Sequence, residues 1–464
     1  MGLLVFTEIP GWQHIGGEAW QEQAVRNTAE MVMQYRDHPS IILWGVRINE
    51  SVDNDELYKK TNDTARLLDP TRQTGGVRCY KKGSLLEDVY TYNDFVHEGN
   101  NAGCEQKKKV TPDMSKGYMV TEYNGHMFPT KAFDNEEHRL AHALRHANVL
   151  ESVAAEEDIA GSFGWCFADY NTHRDFGSGD RICYHGVCDM FRNHKLAAAV
   201  YASQQDKTPV LEVSSSMDIG EHPAANRGEL FAFTNAQSVR LYKNGEFVKE
   251  FFPAAKRYGH MPHPPVDIDD LVGNRMKTEG FKPKQEKYVK DLINYSSRCG
   301  FSHLKPKHLL EAGWLMLRYR MSFQDAYALY GKYNSNWGDE ATVYRFEAVR
   351  DGKVVAVQSK GPADSCALCA DASSLSLCEG DTYDAALIRI TMRDEHGNVL
   401  PYYNEAVRLK TEGPISVIGS DIAQLRGGMG GAFVRTTGSA GKAKLILTAQ
   451  NGASVTIDFT VTIQ

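Results

Sequence analysis

Up to about Gln205 the chain alternates two kinds of segment. Short apolar runs ("LLVFTEI", "SIILWGVRI", "TGGV", "EDVYTYN", "GYMVTEY" and "GSFGWCFADY") are separated by stretches such as "EAWQEQAVRNTAEMVMQYRD", whose apolar residues recur every three or four positions. The first pattern is that of buried strands and the second that of amphipathic helices. Strands that are apolar on both faces and alternate with helices predict a parallel sheet covered by helices. Six in succession suit a (β/α) barrel, whose chemistry gathers at the C-terminal ends of its strands.

After Gln205 the pattern changes. "LFAFTNAQSVRLYKNGEFVKEF" alternates polar and apolar residues around Asn244-Gly245, a hairpin turn, and predicts antiparallel strands. Between about Pro262 and Asn336, a Pro-rich entry leads into helical runs such as "PKQEKYVKDLINYSSRCG" and "FQDAYALYGKY". "ATVYRFEAVRDGKVVAVQSK" then returns to strand, so the helical block reads as an insertion in one sandwich. Its aromatics Trp314, Tyr319, Tyr327 and Tyr330 read as the core of a small helical unit. From about Asp381, short strands with Gly and Asn turns predict an immunoglobulin-like module.

Composition narrows the classes. Of 464 residues, 42% are hydrophobic and 24% charged, an ordinary globular balance with ample material for a core. The net charge of −7 gives no reason to expect nucleic acid or an anionic membrane as partner. No apolar run reaches the roughly 18 residues that would span a bilayer. "MGLLVFTEIPG" lacks a basic n-region and carries Glu8, so it does not read as a signal peptide. Nine cysteines, odd in number and without framework spacing, read as reduced thiols of a cytoplasmic protein. Cys366, Cys369 and Cys378 lack a fourth ligand at zinc spacing, and no metal or cofactor is expected.

Two of the buried runs end in a carboxylate: "SIILWGVRINE" stops at Glu50 and "GYMVTEY" reaches Glu122. A carboxylate at a buried strand end stands at the barrel mouth. Burial there raises a carboxyl pKa, and a neighbouring donor or cation lowers it. Two such groups in unlike surroundings divide into an acid and a nucleophile, the pair that glycosidic cleavage needs. The competing reading, a solvated strand cap, fits one such Glu better than it fits two.

"HPSIILWGVRINES" followed by "MVTEYNGHMFPTK" resembles glycoside hydrolase family 2, most closely its bacterial β-galactosidase branch. The resemblance extends to "LLDPTRQTGGVRC", "EDVYTYNDF", "GWCFADYNTHRDFGSGDRICYHGV" and the C-terminal "ALIRITMRDEHGNVLPYYNEAV" and "LRGGMGGAFVRTTG". It implies retaining hydrolysis of terminal β-D-galactosides, with Glu50 as acid/base and Glu122 as nucleophile. Asn49 would bond the sugar 2-hydroxyl and Trp165 would line the sugar site. A simple alignment puts Phe95 near the family's strand-six tyrosine, with Tyr92 and Asn93 beside it; Tyr92 is the candidate hydroxyl donor. The implied organisation is an incomplete TIM-barrel catalytic domain over 1–205, holding strands three to eight. A β-sandwich follows over 206–375 with its helical insertion at about 262–336, then an immunoglobulin-like sandwich over 376–464.

The chain departs from the family in several places. It starts at what resembles strand three, so the expectation is a fragment, a truncated product or one piece of a split enzyme. Its open sheet edges would call for a homo-oligomer or a companion chain. Where some relatives hold magnesium through Glu-x-His, this sequence reads Trp12-Gln13-His14, without the carboxylate. β-Glucuronidases grip their substrate with Asn-x-Lys after strand eight. Here the matching place reads "ICYHGV", and Asn193-His194-Lys195 falls about ten residues later. That favours a neutral sugar. Asp175 and Asp180 read as solvated loop residues, and His138, His142 and His146 as packing residues on one helix face. A noncatalytic carbohydrate-binding or structural fragment is the reading from another class.

Overall fold

The computed structural model describes residues 2–96, 103–174, 179–335 and 341–464. It divides into two units, Met1–Pro129 with Arg145–Phe167, and Thr130–Leu144 with Ala168–Gln464.

The first unit contains β1 (Val5–Glu8), α1 (Glu18–Tyr35), β2 (Ile41–Gly45), α2 (Asp55–Leu68), β3 (Gln73–Gly75), β4 (Val89–Asn93), α3 (Lys107–Val110) and β5 (Gly117–Glu122), with α4 (Glu136–Ala155) entering it from Arg145 onward. β1 pairs parallel with β2, β2 with β3, and β4 with β5. The Arg78–Tyr92 bridge carries the ladder from the β3 side to β4. Beyond β5, the Val120–Ser162 and Asn124–Trp165 bridges carry it onward. Six extended segments therefore stand side by side, parallel and in chain order, as the six apolar runs predict.

Alternation along the strands sorts their side chains into two rows. A Cβ on Gly75 would lie 3.0 Å from both Leu43 and Thr91 and 3.4 Å from Phe6, so these residues crowd one face. On the other, Trp44, Val46 and Ile48 join Val32 of α1 and Leu57, Tyr58 and Ala65 of α2 in one apolar core. α2 begins at Asn54, whose side chain accepts the Leu57 N–H, and buries residues three and four apart.

Arg47, which interrupts the apolar run, is buried too. It lies 4.2 Å over the Tyr58 ring, donates to Asp53 at 2.7 Å and stands 3.9 Å from Glu87. Glu87 in turn pairs with the buried Arg78. The charge is tolerated there because carboxylates and an aromatic face replace water.

The second unit opens with the small hairpin β6 (Tyr170–Asn171) and β7 (Ile182–Cys183), then α5 (Leu196–Ala202) and β8 (Leu211–Val213). Next come β9 (Phe231–Thr234), β10 (Ser238–Lys243), β11 (Glu246–Phe251) and β12 (Val266–Asp267). The helices α6 (Pro283–Cys299), α7 (Pro306–Tyr319) and α8 (Phe323–Tyr330) follow, then β13 (Tyr344–Arg350) and β14 (Lys353–Lys360). The sheets β11-β10-β13-β14 and β12-β9-β8 enclose one core, so the helices interrupt a sandwich in sequence. The last strands are β15 (Cys366–Ala372), β16 (Ser376–Glu379), β17 (Ala385–Asp394), β18 (Ala406–Glu412), β19 (Ile415–Ile418), β20 (Ile422–Gln424), β21 (Met429–Thr436), β22 (Gly441–Ala449) and β23 (Ser454–Ile463). They form the sheets β15-β17-β21-β19 and β16-β23-β22-β18-β20, whose inward residues, among them Ile388, Val434, Leu445 and Phe459, make a second apolar core. Among the described residues, no helix is long and apolar enough to cross a membrane.

Candidate active site

The site lies in the first unit, where the parallel segments end. Backbone hydrogen bonds stitch the emerging loops together: Gln13 N to Asn49 O (2.7 Å), Glu50 N to Val77 O (2.8 Å), Asn93 N to Arg78 O (2.6 Å), Asp94 N to Glu122 O (2.8 Å) and Trp165 N to Tyr123 O (3.0 Å). Each loop is thus held by its neighbour. Gln13, Glu50 and Asn124 take left-handed φ values of 59°, 55° and 66°, uncommon for residues other than glycine. Such strain gathers where geometry serves a function.

Asn93 sits at the centre. Its Nδ2 lies 3.0 Å from Asn49 Oδ1, 3.4 Å from Glu50 Oε1 and 3.1 Å from Glu122 Oε2. Thr121 donates to its Oδ1 at 2.9 Å, which fixes the amide so that the N–H side faces the carboxylates. A register shift makes this possible: Tyr92 pairs with Val120 while Asn93 pairs with Glu122, leaving Thr121 as the extra residue. The two carboxylate oxygens that share this amide cannot be farther apart than its two contacts laid end to end. That bound does not exceed the lower limit of an inverting pair, ~6.5–9.5 Å, and admits the ~5–5.5 Å of a retaining pair.

The surroundings of the two carboxylates differ. Glu50 Oε2 accepts from Trp12 Nε1 at 3.0 Å and from Gln13 Nε2 at 3.3 Å. Glu122 is pushed up to about 8, by burial first and then by the negative charges of Glu50 and Glu8. Glu8 ends β1 as Glu122 ends β5, and burial pushes it up to about 7 although part of its side chain meets solvent. Gly45 opposite leaves it room, since a Cβ there would lie 2.6 Å from Glu8 Cγ.

The structure brings together Asn49, Glu50, Asn93 and Glu122. Trp165 joins them through Gly125, whose missing Cβ would lie 3.5 Å from the Trp165 ring, 3.7 Å from Glu122 Oε1 and 3.7 Å from the Phe95 ring. Tyr92 is not brought in. One residue before Asn93, it is buried and stands on the other side of β4, and Phe95 borders Glu122 instead. Trp12, Gln13 and Glu8 went unread as site residues. The signal for Glu8 was present: "VFTE" ends β1 as "MVTE" ends β5.

Other candidates lie elsewhere. His142 and His146 are buried, and His138 stands 3.7 Å from Asp134. Asp180 accepts from Tyr184 and pairs with Arg426 at 3.3 Å; Asp175 lies outside the described residues. Cys366, Cys369 and Cys378 are free thiols. Among the described residues, no group of three His, Cys, Asp or Glu side chains converges as a metal site.

A parallel α/β layer with paired carboxylates at its strand ends makes an α/β domain with an acidic site. Residues 7–210 match the model "Glycosyl hydrolases family 2, TIM barrel domain". Over these residues the chain is similar to that family's barrel domain. It is 38% identical over 433 residues to a β-galactosidase of Thermoanaerobacterium thermosulfurigenes, covering 92% of this chain and 52% of the relative. It is 36% identical to a β-galactosidase of Thermoanaerobacter pseudethanolicus, covering 97% and 52% respectively. The chain thus spans about half the length of these curated relatives. Among solved structures, a β-glycosidase from Bacteroides vulgatus superposes with a TM-score of 0.62 at 14% identity, over 97% of this chain and 55% of that one, a likeness of fold.

Proposed function

We propose that the protein is a retaining glycoside hydrolase of terminal β-D-galactosides, with Glu122 as nucleophile and Glu50 as acid/base. The observation that carries this reading is the single amide, Asn93 Nδ2, that reaches both carboxylates. Glu122 attacks the anomeric carbon while Glu50 gives its proton to the departing glycosidic oxygen. Water then attacks the same carbon, its proton passing to Glu50 and the ester bond to Glu122 breaking. Asn49 bonds the 2-hydroxyl, and the half-exposed Trp165 forms a wall of the sugar site. The six parallel segments correspond, in this reading, to strands three to eight of the family's barrel.

Without sugar, burial and the neighbouring negative charges hold a proton on Glu122, which is pushed up to about 8. A bound sugar changes the balance. It brings Glu122 a hydroxyl donor and an electron-poor carbon, and the proton of the pair passes to Glu50. The opposite assignment, Glu50 attacking and Glu122 donating, is what a proton held on sugar-free Glu122 favours. A 2-deoxy-2-fluoro-β-galactoside followed by peptide mapping separates them: label on Glu122 supports the proposal and label on Glu50 reverses the roles. Absence of both label and nitrophenyl galactoside turnover would withdraw the activity from this chain.

A neutral sugar is favoured because Lys195, the lysine of the late Asn-x-Lys, is buried and already engaged. Its Nζ donates to Thr130 O and to Asp169 Oδ1, both at 2.6 Å. Turnover of nitrophenyl β-glucuronide above that of the galactoside would overturn this choice.

A further inference from the structure

The helical insertion turns its hydrophobicity outward. In α7, "PKHLLEAGWLMLRY", the narrow buried stripe is His308, Glu311 and Leu315. His308 lies against Tyr295, ring centroids 3.8 Å apart, and Leu315 enters the core that α6 and α8 share with Val272 and Met276. The remaining large apolar residues point away: Leu309, Leu310, Trp314, Met316 and Leu317 are exposed, Leu310 by 75% and Leu317 by 88%. On α8, Phe323 and Tyr327 are exposed as well. A helix on a protein surface normally does the reverse, burying its leucines and exposing its charges. Five large apolar side chains on one side of α7 mark an interaction face rather than scattered surface residues.

Charge indicates what the face fits. Residues 275–335 carry twelve Lys and Arg against five Asp and Glu, a net charge of +7 in a chain whose total is −7. The whole-chain value conceals this segment. Lys305 and Lys307 stand at the start of α7, and Arg318 and Arg320 at its end, so cations bracket the helix; Lys307 also pairs with Asp291 at 3.3 Å and Glu311 at 3.5 Å. Two copies packed face to face would bring these cations together. An apolar layer beneath an anionic surface meets both features at once. α7 has 14 residues, about 21 Å of helix against the ~30 Å of a hydrocarbon core, so it is of a length to lie on a bilayer, not to span it.

We propose that the exposed face of α7 docks on an anionic lipid bilayer surface, with Leu310, Trp314 and Leu317 entering the interface and Lys305, Lys307, Arg318 and Arg320 meeting the headgroups. The proposal is independent of the glycosidase reading. It is tested by floating the purified chain with phosphatidylcholine vesicles, with and without phosphatidylglycerol. The chain should partition about tenfold or more toward the anionic vesicles, and raised salt should weaken this. L310E/L317E and K305Q/K307Q/R318Q/R320Q should each abolish the preference while far-UV circular dichroism stays unchanged. Brominated lipid should quench the Trp314 contribution, read as the difference from W314F. Absence of binding, or variants that bind like the parent, would overturn the proposal. So would a lipid-independent dimer that L310E/L317E splits, which would assign the face to a second copy.

Discussion

The Asn93 side-chain amide stands 3.1 Å from Glu122 Oε2, and the same nitrogen lies 3.4 Å from Glu50 Oε1. Asn93→Ala removes the donor from both carboxylates without removing either. A hydrogen bond to a charged group contributes about 1.5–3 kcal/mol, so kcat/KM on nitrophenyl β-galactoside should fall roughly 10- to 150-fold. Asn93→Asp should cost more, since it sets a third negative charge beside the pair. Unchanged kinetics in the alanine variant would remove Asn93 from the site.

Glu122 titrates near 8 in the folded protein against an ordinary value of 4.5. Between these values the native state holds a proton that the unfolded chain has released. Its contribution to stability is therefore complete below about 4.5 and is lost as pH rises through about 8. Glu122→Gln removes this dependence. The Tm difference, variant minus parent, should be near zero at acid pH and become positive toward mildly alkaline pH. A difference that is flat with pH would show that Glu122 is not perturbed.

Much of this site was legible because it breaks a period. Apolar strands that end in Glu50 and Glu122 announce carboxylates at strand ends, and Asn49 precedes one of them. Glu8 ends its strand in the same way, but within an N-terminal apolar run it reads only as a charge. Tyr92 and Asn93 differ by one residue, and in a strand one residue decides the face; the register shift at Thr121 is not written in any spacing. Trp12 and Gln13 reach Glu50 from a loop whose left-handed turn at Gln13 leaves no periodic trace. Domain grammar was easier to read, because the change from three- and four-residue spacing to strict alternation spans many residues.

Gly45 is required by close approach. A Cβ at this position would meet Glu8 Cγ at 2.6 Å, and Glu8 Cα and Thr7 O at 3.0 Å. Gly45→Ala should therefore lower stability by about 1–3 kcal/mol in urea unfolding, the usual range for overpacking. Adding Glu8→Ala should recover only part of the loss, because the backbone contacts persist. Full recovery would place the whole strain in the Glu8 side chain, and no loss at all would mean that β1 yields freely.

Glu87 is fully buried between Arg78, which it pairs, and Arg47, 3.9 Å away. Removing its charge leaves two buried guanidinium groups with Asp53, at the edge of solvent, as the remaining anion that Arg47 bonds directly. Breaking such a pair costs about 3–5 kcal/mol, because the desolvated partner stays behind uncompensated. Glu87→Gln should destabilise by about that amount in equilibrium unfolding. Replacing both partners, Glu87→Leu with Arg78→Met, should cost less than the single change, since apolar groups of similar volume need no counter-charge. Arg78 also accepts the Asn93 N–H through its carbonyl at 2.6 Å. The Glu87 variant should thus lose activity under conditions where it is still folded, read as kcat/KM well below its Tm. Full activity there would show that the buried ion pair supports the fold without positioning Asn93.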